Sequence, residues 1–311
     1  MEFLKKTPTI EFMRYRRVAM WVSLAVLVVS VALFVTRGFN FGIDFTGGTV
    51  IEVAYPQAVD LGELREALEG AGFEESIAQH FGTSSEVLIR IPPRAGEKAA
   101  ELSNHVLEAL RANDPDVEML RVEFVGPQVG EELREQGGLA LLYALIGILI
   151  YVSMRFEWRF ALGAVIALVH DVIFTLAILS ISGLSFDLNV LAAVLTIIGY
   201  SLNDSIVVFD RIRENFRTIR KRSVVEIVDI SINETLARTI MTGVSTLLVL
   251  FTLYLLGGEV LAAFSFTLIV GILIGTYSSV YVASTYAVLL GVSKADMMPV
   301  RKEGEEVDSR P

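Results

Sequence analysis

Gly199 to Asn215 reads GYSLNDSIVVFDRIREN. It belongs to an apolar run that begins near Leu188 with Val190, Leu191, Val194, Leu195, Ile197 and Ile198. A run of that length crosses a bilayer. Asn203 and Asp204 interrupt it before Ile206, Val207, Val208 and Phe209 resume the pattern. A carboxylate deep in a span costs at least about 2.5 kcal/mol on insertion scales. A partner charge, a water-filled cavity or a bound proton offsets such a cost, and all three belong to ion handling. Asp204 is therefore the residue from which the rest of the chain is read.

The surrounding composition agrees with a membrane protein. Of 311 residues 53% are hydrophobic, and the mean hydropathy is +0.57, too apolar for an ordinary soluble domain. The net charge of -10 decides little, because the charges are unevenly placed. With no cysteine there is no disulfide, zinc-thiolate site or thiol chemistry. His80, His105 and His170 lack metal-ligand spacing, and no GxxxxGK[ST] sequence is present, which argues against a P-loop ATPase. No cofactor is implied, and energy coupling is expected from an ion gradient or a partner.

Outward from Asp204, the apolar runs predict six transmembrane helices, at 18–35, 138–154, 160–181, 188–209, 239–256 and 261–290. The basic segment 1–17 precedes the first, and no cleavage site follows that helix. Arg155 and Arg159 lie between spans two and three, and Arg211, Arg213, Arg217, Arg220, Lys221 and Arg222 lie in the loop 210–238. Lys294, Arg301 and Lys302 follow span six, in a polar tail over 291–311. The loops 182–187 and 257–260 contain no Lys or Arg. The positive-inside rule then puts both termini in the cytoplasm. Residues 36–137 lie outside the cytoplasm. There the alternating and helical periodicities run strand, helix, strand, strand, helix, strand: 49–54, 61–69, 76–81, 86–91, 95–112 and 117–125. The order βαββαβ predicts one α+β ferredoxin-like domain.

Several side chains are candidates for chemistry. Asp204 lies six residues before the basic end of its span, roughly 9 Å inside at 1.5 Å per residue. Tyr200 and Ser201 share its helix face, and Asn203 and Ser205 flank it. The competing reading is a polar cluster that only joins helices. Arg238 is the candidate partner: an arginine does not carry protons, but by approaching or withdrawing it switches the protonation of a carboxylate. A topogenic charge that snorkels to the headgroups explains Arg238 equally well. Asp171, mid-way along span three, either joins the Asp204 network or makes a structural hydrogen bond. Its neighbour His170 is not an obvious pair, because adjacent residues diverge around a helix. Asp210, Arg211, Arg213 and Glu214 read as interfacial charges, Asp44 as a turn or capping residue, and Gly271 and Gly275 as a close helix contact.

Together these segments resemble the SecF family of the SecD–SecF protein-export complex, within the resistance-nodulation-division superfamily. The motifs that carry the resemblance are FGIDFTGG at 41–48, FVGPQVGEEL at 124–133, RFEWRFALGAVIALVHDV at 155–172, GYSLNDSIVVFDRIREN at 199–215 and SINETLARTIMTG at 231–243. The resemblance implies a non-enzymatic, multi-pass subunit of the bacterial plasma membrane. It would work with SecD, the SecYEG translocon and YajC, using the proton motive force to promote late steps of polypeptide translocation. Asp204 matches the family's fourth-span proton-pathway aspartate and Arg238 its fifth-span arginine. Protons, lipid and the translocating polypeptide are the implied ligands, and nucleic acid is not. A small-molecule or lipid exporter of the same superfamily is the alternative, against which the single modest outer domain argues.

Overall fold

The computed structural model describes residues 8–94 and 98–293. The tail, with Lys294, Arg301 and Lys302, lies outside the described residues, as does the start of the expected helix at 95–112. Helix α1 (Arg16–Arg37) is the first span, preceded by a 3-10 turn at Phe12–Tyr15. A one-turn helix α2 (Ile43–Thr46) leads into the domain, built as β1 (Gly48–Ala54), α3 (Leu61–Gly70), β2 (Ile77–Phe81), β3 (Thr83–Ile91), α4 (Ala99–Arg111) and β4 (Glu118–Val125). The remaining spans are α5 (Pro127–Arg155), α6 (Trp158–Ser182), α7 (Leu188–Thr218), α8 (Val224–Leu256), and a last helix made of α9 (Glu259–Ser278), a π-helical turn (Ser279–Ala283) and α10 (Ser284–Leu289).

The domain has the predicted βαββαβ order. Its antiparallel sheet runs β2-β3-β1-β4. Alternation fixes which face is buried: Ile51 and Val53 on β1, and Val87, Ile89 and Ile91 on β3, pack against Leu64 and Leu68 of α3 and Leu102, Val106 and Leu110 of α4. The other face of the sheet, with Val50, Glu52, Leu88 and Arg90, borders a cavity of about 470 Å³ shared with the α6–α7 turn and the start of α9.

Two glycine-bearing motifs meet where the domain joins the spans. Gly47 (φ +70°) and Gly48 (φ +118°) occupy the left-handed half of backbone space, which favours glycine. A Cβ on Gly47 would lie 2.8 Å from the Cα of Pro127, and one on Gly130 2.7 Å from the backbone nitrogen of Gly47. The FGIDFTGG turn thus rests on the first turn of α5, which FVGPQVGEEL starts with Pro127 at N1.

Among the described residues, six helices are long and apolar enough to span a membrane. Half of the apolar stretch of α6, α7 and α9–α10 is buried, against less than a fifth for α1, α5 and α8. The bundle is therefore three central helices with three outer ones. The glycines of α9 explain part of this: a Cβ on Gly271 would collide with Ile197, and one on Gly275 would lie 3.2 Å from Ser201 Cβ. The GxxxG is a contact within the chain, between α9 and α7.

Two boundaries differ from expectation. The helices run beyond the expected span ends at 209 and 239: α7 continues to Thr218 and α8 starts at Val224, so only a short link separates them. Basic residues mark the membrane interface without breaking a helix. A capping box between Ser223 and Glu226 starts α8. The N-terminal segment docks on this part of α8: Asn233 accepts from the Ile10 N–H (2.9 Å) and donates to the Ile10 carbonyl (2.8 Å), and Asp229 accepts from the Met13 N–H (2.8 Å).

Candidate functional site

Asp204 is on the buried face of α7, only 3% exposed, and its Oδ2 has no hydrogen-bond partner among the described residues. One turn earlier, the Tyr200 hydroxyl is buried and likewise unpartnered, 4.0 Å from where a Cβ on Gly243 of α8 would sit. The side chains of Thr175, Ser265 and Thr285 also carry buried oxygens without a partner. All five lie on α6, α7 and α9–α10. Counted along the helices from the domain side, Ser265 and Thr175 are roughly 9 and 10 Å deep and Asp204 roughly 24 Å. Buried polar atoms without protein partners are where internal water binds, and these five are spread along the three central helices.

Asp171, fully buried on α6, has polar contacts at both carboxylate oxygens. Its Oδ2 accepts from Ser201 of α7 and from Ser278 of α9, both at 2.6 Å, and its Oδ1 lies 3.0 Å from His170 Nδ1. Here the sequence reading of His170 is corrected. Adjacent side chains diverge around a helix, but the imidazole is long enough to turn back to the carboxylate. Asp171 ties the three central helices together within one turn of Asp204, since Ser201 and Asp204 are three residues apart. Asp204 and Asp171 share no direct bond. Ser278 went unrecognised from sequence. The serine-rich stretch SSVYVAST (278–285) was the available signal, and its π-helical turn follows directly after Ser278.

The structure does not bring Asn203 and Arg238 into this cluster. Both are exposed on the side of the bundle, Asn203 beside Asp204 on α7 and Arg238 in the interior of α8. Among the described residues no ion pair joins Arg238 to Asp204. The charges at the opposite end of the bundle pair as interfacial groups: Arg155 with Asp210 (3.1 Å), and Arg211 with Glu214 (2.7 Å) and Glu234 (2.9 Å). Asp44 does cap a helix, but a distant one. Its Oδ2 accepts the Leu188 N–H at the start of α7 (3.0 Å). Beside it, burial pushes the Asp187 carboxyl above its ordinary value, opposed by the Val190 N–H that it accepts.

Six spans, one ferredoxin-like domain between the first two, and a carboxylate in the fourth define half of a resistance-nodulation-division-type membrane machine. The family described as "Protein export membrane protein SecD/SecF, C-terminal" matches residues 105–293, and the "SecD/SecF GG Motif" matches residues 32–59. The chain is 50% identical over 309 residues to the protein translocase subunit SecF of Pseudomonas aeruginosa, covering 98% of this chain and 99% of that one. It is 47% identical to SecF of Escherichia coli O157:H7, covering 96% and 93%. The crystal structure of SecDF from Thermus thermophilus, described as a translocon-associated membrane protein, superposes with a TM-score of 0.83 at 41% identity, over 91% of this chain and 39% of that one. A SecDF structure in a super-membrane-facing form gives 0.70 at 40% identity, over 93% and 39%. The chain belongs to the SecF family. It is a multi-pass inner-membrane subunit of protein export with an extracytoplasmic domain.

Proposed function

We propose that the chain pairs with SecD and turns proton movement through Asp204 into late steps of polypeptide translocation at the SecYEG translocon, with YajC as a further associate and both termini in the cytoplasm. The observation that carries this reading is the unpartnered oxygen of a carboxylate that is 3% exposed inside a span. A structural aspartate at that depth would be saturated with donors, as Asp171 is. Asp204 instead keeps one oxygen free for a proton or a water.

The route enters from the extracytoplasmic side past Thr175 and Ser265, and Tyr200 and Ser201 flank its approach to Asp204. Asp171 holds Ser201 and Ser278 in place beside it. Asn203 and Arg238 face outward, toward the position of a second six-helix half contributed by SecD. When the halves repack, Arg238 approaches or leaves Asp204 and favours release or uptake of the proton. One charge crossing the membrane yields about 2.3 kcal/mol per 100 mV, enough to bias a two-state rearrangement.

The test is gradient-driven export in cells carrying Asp204→Asn, with membrane abundance followed by immunoblot. Lost export at normal abundance supports the assignment. Full export removes Asp204 from the coupling step and leaves it a packing residue.

A further inference from the structure

The segment that joins α1 to the domain is stitched to the turn between α6 and α7, 140 residues away in sequence. Phe41 and Phe186 form a parallel β-bridge, with Gly42 N–H donating to the Phe186 carbonyl and Phe186 N–H to the Asn40 carbonyl, both at 2.8 Å. Ser180 donates to the Gly38 carbonyl (2.6 Å) and Asn40 to the Gly183 carbonyl (2.9 Å). The Phe45 and Phe186 rings meet at 5.5 Å, tilted 35° to each other. Asp44 then caps the first residue of α7.

Arg90 fastens the sheet to both strands of the join. From β3 its Nη1 donates to Asn40 Oδ1 and to the Phe41 carbonyl, each at 2.8 Å, and its Nη2 donates to Ser185 Oγ at 2.7 Å. A planar fork that satisfies three acceptors on two separate segments fixes their relative position in a way a lysine does not. The domain is thus held to the beginning of α7, the helix that carries Asp204, as well as to the two helices that continue its chain. A helix transmits displacement along its length, so a shift at Asp204 reaches the sheet through this join.

We propose that residues 38–46, the 180–188 turn and Arg90 form a permanent coupling that makes the extracytoplasmic domain and the outer end of α7 move as one body, with Arg90 and Asp44 as positioning residues for proton-driven export. The proposal rests on Asp204 as the proton carrier for the source of the motion. It does not rest on it for the coupling itself. The alternative is a domain hinged only on α1 and α5, with a join that opens in each cycle.

The test uses the chain assembled with its SecD partner in membrane vesicles, measuring export and proton flux in the same preparation. Arg90→Ala is expected to lower gradient-driven export about tenfold, within the range of coupling free energies between sites, while proton flux stays at the wild-type level. A covalent lock supplies the second variant. Directly bridged residues lie within the roughly 4.4–6.8 Å Cα separation that a disulfide spans. The chain has no cysteine, so Phe41→Cys with Phe186→Cys makes the only disulfide within it. The oxidised lock is expected to export as well as its reduced form, and to restore export to Arg90→Ala. Arrest on oxidation, normal export by Arg90→Ala, or joint loss of export and flux in that variant overturns the proposal. If Arg90→Ala fails to assemble, the lock in the Arg90 background decides alone. Full export by Asp204→Asn combined with disulfide rescue of Arg90→Ala would remove the proton carrier and keep the coupling.

Discussion

Replacing Asp171 tests whether one carboxylate holds the three central helices together. Its Oδ2 takes two hydroxyl hydrogen bonds at 2.6 Å, within the short range of O–H···O⁻ bonds. Hydrogen bonds to charged groups contribute about 1.5–3 kcal/mol and neutral ones about 0.5–1.5. Asp171→Asn keeps the shape but weakens both bonds, at a cost of about 2 kcal/mol in total. Asp171→Leu removes them, and each buried hydroxyl left without an acceptor costs about 1–3 kcal/mol. The loss is partly buffered, because Ser278 also lies 3.2 Å from the Gly275 carbonyl and can turn to it. The decisive measurement is a double-mutant cycle between Asp171→Asn and Ser278→Ala, read from detergent-denaturation midpoints of the purified protein. Side-chain hydrogen bonds between membrane helices average about 0.6 kcal/mol in such cycles, with a maximum near 1.7. The short distance and the carboxylate acceptor place this pair in the upper half, above about 1 kcal/mol. Additive effects, with a coupling below about 0.3 kcal/mol, would refute the reasoning for this bond and leave α6 and α9 joined by packing alone.

Gly48→Ala adds a Cβ at φ +118°, 2.5 Å from the Ile91 carbonyl oxygen. Its expected cost is about 1–3 kcal/mol, seen as faster proteolysis of the domain while the spans stay assembled. Tyr55 titrates at about 12 in the folded domain, raised by burial first and by Asp114 second. In the unfolded chain it ionises near 10, so the domain loses stability as pH rises from about 10 to 12. Tyr55→Phe should remove that dependence and delete one late-titrating phenolate from the ultraviolet difference spectrum. Loss of a phenolate that titrates near 10 instead would show that Tyr55 ionises like an exposed tyrosine.

The spans and the domain were legible because both rest on local periodicity. The alternation of Ile51 and Val53, and the spacing of Val106 and Leu110, name their faces without a structure. Helix ends were less so. Arg211, Arg213 and Arg217 locate the interface, but no backbone rule ends α7 there, and α8 starts at the Ser223–Glu226 capping box, well before the apolar run of its span. Asp204 was legible by its chemistry, since a carboxylate in an apolar run demands an explanation. Its surroundings were not, because they depend on packing between distant segments. Ser278 reaches Asp171 from 107 residues away, and Asp44 caps a helix that starts 144 residues later. The exposure of Arg238 is likewise a property of the bundle's outline, which one helix's sequence does not contain.

The docking of Ile10 and Met13 on Asn233 and Asp229 constrains biogenesis. Ile10 and Asn233 are 223 residues apart. At roughly 5–20 residues per second, the ribosome needs about 11–45 s after making the first before it supplies the second. Throughout that interval α1 sits in the bilayer without this anchor, held by its own uncharged stretch. The first span is thus fastened late, and the N-terminal strap closes only once the start of α8 has left the ribosome.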